Sequence, residues 1–476
     1  MNKRIFIVAN HGLSIVYFLQ SELVSILVES GAEVVILTDG QVKSKIQKMF
    51  NQPNVTVESL RLEKVKDYWR NISPTFQYWL DFLRRAGASN NINLEAVRAY
   101  VKQVEHEAHR MRKLLFPLIR VLIFILRNSQ LARKTLVKIQ HIFTPNIYSD
   151  LFEKYKPGLV VASTPGWRQD RYILREAIGK GITTASVIIG WDNTSSYSLP
   201  GAKVDWITCW SEIQKDELVD GSDWNPNRVN IGGIPSYDGY FREEWKLSRA
   251  EYFEQHSLDP TRKLISYACS FISFSPNIQN IEALVNVITG DQLAEPSQLL
   301  IRLHPNHFLE VPRFKEEKKK ITELAVKYPS VHLVEPVALG GDLGYYSGED
   351  MPEKSSMMAH SDIMVTVYST MALEASIHGT PVISLCIDSL SGWPDNFSLK
   401  LSQIGEWPTH TRFTASGAGR EAQKEIELKE ALDYYLINPN LDDQLRQAFV
   451  SRECTYVDGS AGKKTSEFLL SLLEDL

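Results

Sequence analysis

Ten short apolar runs, each closed by polar or turn residues, constrain this chain more than any other feature of its 476 residues. Five stand in the first half: "RIFIV" (Arg4 to Val8), "EVVILT" (Glu33 to Thr38), "KPGLVVAST", "TTASVIIGWDN" and "VDWITCWS". Five stand in the second: "KLISYACS", "QLLIRLHP", "VHLVEPV", "DIMVTVYS" and "TPVISLCI". Short runs that are apolar on successive residues, not alternate ones, read as strands covered on both faces, the condition of a parallel sheet. Parallel neighbours need a crossover, and helix-period segments supply it. The first such helix, from about Val16 to Glu29, follows the loop "ANHGLS" and stops at Gly31. The class is therefore α/β, with one parallel sheet in each half.

A chain of this length exceeds one ordinary core. Gly232 and Gly233, in "NIGGIPSYDGYF", close the first series, and a polar helix-compatible stretch leads to Lys263. The expected domains are 1–237, with a basic and apolar helical insertion near 100–145, then 263–458, with a closing helix over 459–476. Four separated cysteines, three of them in strand-like runs, read as buried thiols without metal-ligand spacing. A formal charge of -5 gives no reason to expect nucleic acid. No signal peptide is recognisable at the start. The most lipid-like run, "LLFPLIRVLIFIL", contains Arg120 and is too short to span a bilayer. A cytoplasmic protein is expected.

Ligands of open α/β sheets bind beyond the carboxyl ends of the strands, so chemistry is sought there. In "VTVYSTMALEASIHGTPVIS", Ser369 and Thr370 open a helix that carries Glu374. A helix N-terminus offers unpaired N–H groups and a positive dipole end, which suit a phosphate, with Glu374 one turn along for sugar hydroxyls. The plain alternative is that Ser369 caps the helix. His304, in "IRLHPN", stands at another strand end and can donate to a phosphate oxygen; Arg302 either joins it or forms a structural ion pair. Ser270, in "ACSF", ends a third strand of the same half. In "IIGWDNTSS", Asp192 is a candidate general base beside Trp191, Asn193 and Thr194, candidate acceptor contacts; an Asx turn is its alternative. His11, after the first strand, is the rival base.

From His109 to Gln140 there are eight Lys or Arg and no acid around the apolar run. That pattern reads as an interfacial membrane segment, or else as a core helix with a basic face that Pro117 interrupts. "KEEKKK" (Lys315 to Lys320) reads as a solvated helix face. "DLGYYSGED", with Asp342, Glu349 and Asp350, reads as a surface loop rather than a metal site. There is no Walker A loop, HExxH, GxSxG or Gly-rich dinucleotide fingerprint, which argues against kinases, zincins, α/β-hydrolases and classical dehydrogenases.

"RLHP" followed by "VYST…E…GTPVI" resembles the donor-nucleotide domain of the GT-B glycosyltransferases, two facing Rossmann-like domains with an interdomain cleft. The pairing of His-Pro with a later Ser-Thr resembles bacterial polysialyltransferases, capsular Kdo transferases and CDP-glycerol glycerophosphotransferases. "GWDNTSS" resembles the "SWDN" loop of polysaccharide-biosynthesis glycosyltransferases. "NIGGIPSYD" and "YVDGSAGKKTSEFL" resemble their "GxPxxD" and "DGxAxxR" segments, with Lys463 or Lys464 in place of the usual arginine. The resemblance implies that His304, Ser369 and Thr370 hold donor phosphates, that Glu374 binds ribose, and that transfer is metal-independent, with no cofactor. It implies a nucleotide-sugar donor and a glycan or lipid-linked glycan acceptor, and the basic and apolar pattern adds an expectation of peripheral membrane contact through 109–140. Neither the sialyltransferases' paired-acid-Gly motif nor the teichoic acid polymerases' "WHG" loop has a match. Polyol-phosphate transfer, nucleotide-sugar 2-epimerisation and a non-enzymatic glycan- or membrane-binding module stay open as alternatives.

Overall fold

The computed structural model describes residues 3–270, 276–340, 345–346, 348–388 and 400–474. Asp342 of "DLGYYSGED" and the residue after Ser270 lie outside the described residues. The chain divides into two units. The first runs to Asp238 and takes in the C-terminal segment from Glu453. Its strands are β1 (Arg4–Ala9), β2 (Glu33–Thr38), β3 (Val55–Ser59), β4 (Leu159–Ala162), β5 (Thr183–Val187), β6 (Trp206–Cys209) and β7 (Val229–Ile231). They form one parallel sheet in the order β3-β2-β1-β4-β5-β6-β7. Phe6, Val8, Val35, Leu37, Val160 and Ala162 bring its strands into one core with the flanking helices.

The second unit begins at Gly239. It contains β8 (Lys263–Ala268), β9 (Ser297–Arg302), β10 (Val331–Val334), β13 (Ile363–Thr366), β14 (Val382–Leu385) and β15 (Arg420–Ala422), while β11 (Ala338–Gly340) and β12 (Tyr345–Tyr346) form a separate two-stranded pair. The main sheet is parallel, in the order β10-β9-β8-β13-β14-β15. In each sheet the chain starts centrally, builds outward on one side, and returns to build the other. That reversal makes a switch point between β1 and β4, and another between β8 and β13.

Two local departures have plain causes. The single helix expected over Val16 to Glu29 is two, Gly12–Leu19 and Leu23–Glu29, bent by 42°. The Ser21 hydroxyl donates back to the Tyr17 carbonyl at 2.6 Å, competing with the helical ladder at the break. Between β3 and β4 a group of helices, among them Pro74–Ala86, Glu95–Glu107, Phe116–Asn128 and Gln130–Gln140, packs Leu80, Phe82, Phe116, Ile119, Ile123 and Leu136 into a core of its own. Pro117 falls in the first turn of its helix, where the missing N–H costs nothing. Arg133 clamps this group by donating to both Asp223 oxygens at 2.7 and 2.8 Å.

Candidate active site

At the switch point of the second unit three strand ends emerge side by side. Ala268 aligns with Arg302 of β9 and with Thr366 of β13. Ser270, His304 and Ser369, two or three residues further on, therefore stand at neighbouring strand ends, with strands about 4.8 Å apart. The Cys269 N–H donates to the Arg302 carbonyl at 3.0 Å, and the Ser270 hydroxyl to the Val367 carbonyl at 3.1 Å.

The turn from β13 into the helix Thr370–Ile377 is tight. Tyr368 adopts φ 30°, a left-handed conformation that costs a side chain with a Cβ roughly 1–3 kcal/mol. Ser369 is the N-cap: its hydroxyl oxygen accepts from the Met371 N–H at 3.2 Å, and its carbonyl from the Ala372 N–H at 2.9 Å. The cap leaves the Ser369 hydroxyl hydrogen available, together with the Thr370 N–H and hydroxyl, which bond nothing among the described residues. Capping thus engages Ser369, while Thr370 keeps an N–H and a hydroxyl of the kind that suits an anion.

His304 caps the short turn Pro305–Phe308, its Nδ1 accepting from the Asn306 N–H at 3.2 Å. The ring proton therefore sits on Nε2. Burial, followed by His307, Arg302 and Lys354, holds its pKa down to about 3. His304 is a neutral hydrogen-bond donor rather than a cation. Behind it, its own N–H donates to His307 Nδ1 at 3.1 Å, and His307 Nε2 lies 2.9 Å from Glu317 Oε2. The other Glu317 oxygen accepts from the Asn277 N–H, and the Asn277 side chain brackets Ser270 through its N–H and carbonyl at 3.1 Å each. One buried carboxylate thus braces both the His304 and the Ser270 loops.

Arg302, two residues before His304, is engaged by acids of its own unit. Its guanidinium donates to Asp350 at 2.6 Å and to Glu353, and it is buried. This is the structural ion pair, and it also places Asp350 inside the unit rather than on a surface loop. Glu374 is buried as well; its Oε2 accepts from Lys354 Nζ at 2.6 Å and from the Tyr240 hydroxyl at 2.9 Å.

The candidates of the first unit lie on different strand ends. His11, just past β1, is the N-cap of Gly12–Leu19, its N–H held by Ser14 Oγ at 2.9 Å. It is buried, and its Nε2 has no hydrogen-bond partner among the described residues. Burial, then Arg168, pushes its pKa well below the usual histidine value, so an unprotonated nitrogen is present at neutral pH. Asp192, past β5, accepts from the Ser196 hydroxyl at 3.0 Å and faces the Asn193 amide at 3.4 Å, the local bonds of an Asx-type turn. The Trp191 indole is buried and donates to Glu453 at 2.8 Å, and the Thr194 hydroxyl donates to Glu217.

Glu317 and Lys354 escaped the sequence reading. Glu317 sits inside the charge run of the helix Pro312–Lys327, yet it is buried with Phe314 and Ile321. Those residues, three before and four after it, mark the stripe that turns it inward. Lys354 carries no such signal, because its partner Glu374 is distant in sequence.

No protein-family profile matches the chain, and no curated protein matches it by sequence. Solved structures match its fold. The UDP-GlcNAc 2-epimerase of Neisseria meningitidis, bound to UDP-GlcNAc, aligns with TM-score 0.55 over 98% of this chain and 100% of that one, at 13% identity. The putative UDP-N-acetylglucosamine 2-epimerase of Listeria monocytogenes gives 0.56 over 100% and 98%, at 12% identity. A glycosyltransferase from Rickettsia africae gives 0.53 over 99% of each chain, at 10% identity. The fold is GT-B. At such identities the likeness extends to the fold alone, and epimerases and a transferase share it equally.

Proposed function

We propose that the protein is a glycosyltransferase that moves a sugar from a nucleotide-sugar donor to a glycan or lipid-linked glycan acceptor at a membrane surface. The convergence of Ser270, His304, Ser369 and Thr370 on three adjacent strand ends carries this reading. Nothing in the packing of a sheet requires such a polar set there, and its chemistry is that of a phosphate site. As the bond from the sugar to the phosphate oxygen breaks, charge grows on that oxygen. The Thr370 N–H and hydroxyl, the Ser369 hydroxyl and His304 Nε2–H are donors suited to it. In an inverting transfer His11, in the tautomer that leaves Nε2 unprotonated, takes the acceptor hydroxyl's proton; Nε2 has no partner among the described residues, whereas Asp192 is engaged by its own turn. Glu374, fixed by Lys354 and Tyr240, is the candidate ribose contact.

Membrane contact is supported by the helical group. Among the described residues no single helix is long and apolar enough to cross a membrane. However, in Phe116–Asn128, Phe116, Ile119, Ile123 and Leu126 are buried in the core and Leu122 packs against it, while Leu118, Val121 and Phe124 are 60%, 54% and 68% exposed. Leu114 and Leu131, in the flanking segments, are exposed as well, as are Lys113, Lys134 and Lys138. A surface apolar and cationic together fits an anionic lipid interface.

Titration calorimetry against UDP, GDP, CDP, CMP and ADP tests the donor site. One nucleotide should bind, and His304→Ala and Ser369→Ala should each abolish it; no binding to folded protein overturns the reading. Product formed from a nucleotide sugar without any acceptor would instead make the enzyme an epimerase. Flotation with phosphatidylglycerol vesicles tests the membrane face, and wild-type protein left unbound would remove that part of the proposal.

A further inference from the structure

The switch point of the first unit opens into a cavity of about 800 Å³. Asn10, at the end of β1, lines it, beside Arg168 from the loop after β4 and Lys66, Trp69 and Arg70 from the helix Leu62–Asn71. Arg171 lines it too, paired with the lining carboxylate Asp81 at 2.8 Å. The cationic groups outnumber the single lining acid, and two aromatic rings, Trp69 and Tyr172, stand among them.

Arg168 is the informative member. It is exposed and forms no ion pair among the described residues; its guanidinium donates only to the Tyr197 hydroxyl, at 3.1 Å. The loop that presents it is nonetheless built with care. The Thr164 hydroxyl donates to Asp170 at 2.5 Å and accepts from the Trp167 N–H at 3.0 Å, and the Arg168 N–H donates to the other Asp170 oxygen at 3.1 Å. Gly166 holds φ 79°, with the backbone of Gly201 packed so close that no Cβ fits at either residue. Trp167 stacks on Tyr197 with centroids 5.3 Å apart. A fixed loop therefore holds a cation on the cavity wall with no carboxylate in ion-pair contact among the described residues, the buried Asp170 lying within its electrostatic reach. That guanidinium also lies within electrostatic reach of His11.

We infer that this cavity receives the acceptor through an anionic group, a sugar carboxylate or phosphate on Arg168, with Trp69 against the face of the adjoining ring. This rests on the transferase reading only in calling the ligand an acceptor. Lys66 and Arg70 line the cavity too, paired with Glu63 at 2.7 Å and with Asp67 at 3.9 Å, and the proximity of His11 would leave the reacting hydroxyl near its base.

The test is direct binding by the full chain without nucleotide, using three probes: a galacturonate trimer, a galactose trimer and galactose 6-phosphate. The uronate, the sugar phosphate or both should bind at least about tenfold tighter than the neutral trimer, since a charge-assisted hydrogen bond is worth that much. Which one binds names the anion. Arg168→Gln should remove the preference and Trp69→Ala should weaken both classes, with melting temperature unchanged because both side chains are exposed. Ser369→Ala should leave sugar binding intact, so failure of the donor site and failure of this cavity are read separately. Equal binding of charged and neutral sugars, no binding of any, or an unaltered preference in Arg168→Gln overturns the inference.

Discussion

At the switch point of the second unit the polar groups that meet are hydroxyls, a helix end and a neutral imidazole; at that of the first they are guanidinium groups and an ammonium around a tryptophan. The sheets share one plan, a central start and a reversal, so the difference is not one of topology. It comes from the residues that follow each strand. Ser369 and Thr370 expose a helix end, whereas the four-residue helix Asn193–Ser196 in the first unit spends its polar side chains on itself and on Glu217. One scaffold thus carries two kinds of candidate anion site, one built on dipoles and one on full charges.

The sharpest way to break this division of labour is to change one base candidate and one phosphate contact. His11→Gln should lower kcat/KM by about 10²–10⁴-fold, the range of general-base catalysis, while nucleotide affinity stays unaltered. His304→Ala should do the reverse, weakening nucleotide binding first. If both variants lose nucleotide affinity equally, the separation of roles is wrong.

Next in size are two arginines with similar geometry and different burial. Arg302→Ala strands Asp350 and Glu353 inside the second unit and should cost about 3–5 kcal/mol in denaturant unfolding. Arg61→Ala removes a pair to Asp150, whose side chain is 65% exposed, and should cost below about 1 kcal/mol.

Acid should then distinguish the units. Six histidines of the second unit, His256, His304, His332, His360, His378 and His410, have pKa values lowered chiefly by burial. In the first unit only His11 and His141 do. A lowered histidine pKa means that the unfolded chain takes up protons first, so stability is lost as pH falls below about 6.5. Glu176 in the first unit is raised to about 7, mainly by burial, and acts in the opposite sense, gaining stability as pH falls from 7 toward 4.5. Amide exchange at pH 5 should therefore show the second unit losing protection before the first. The smallest stability effect belongs to Leu118→Ser with Phe124→Ser. Being exposed, these should shift stability by less than about 0.5 kcal/mol each while abolishing vesicle flotation.

Much of this was legible in the chain, and the misses share a cause. "EVVILT" is β2 residue for residue, because a central parallel strand is apolar throughout. Of the strands not anticipated, β3, β7 and β15 lie at the edges of the two main sheets, and β11 and β12 form the small separate pair. An edge strand buries less, so "VTVES", "VNI" and "REA" are short or alternate with polar residues and do not stand out. The same holds for the site. His304, Ser369 and Thr370 are visible because each ends an apolar run. Lys354 and Tyr240 reach Glu374 through tertiary packing, which no local pattern records, and Arg302 was ambiguous until Asp350 and Glu353 were placed beside it.

The neutrality of His304 has a consequence for how the two sites respond to ionic strength. Donors that are dipoles, a hydroxyl, an N–H and an uncharged imidazole, present no net charge for counter-ions to screen. Exposed cations such as Arg168 and Arg70 sit where added salt, with a Debye length near 8 Å at physiological strength, competes directly. Raising potassium chloride should thus empty the cavity of the first unit while a nucleotide remains on the second. Salt becomes a dial that separates occupancy of the two sites without any mutation.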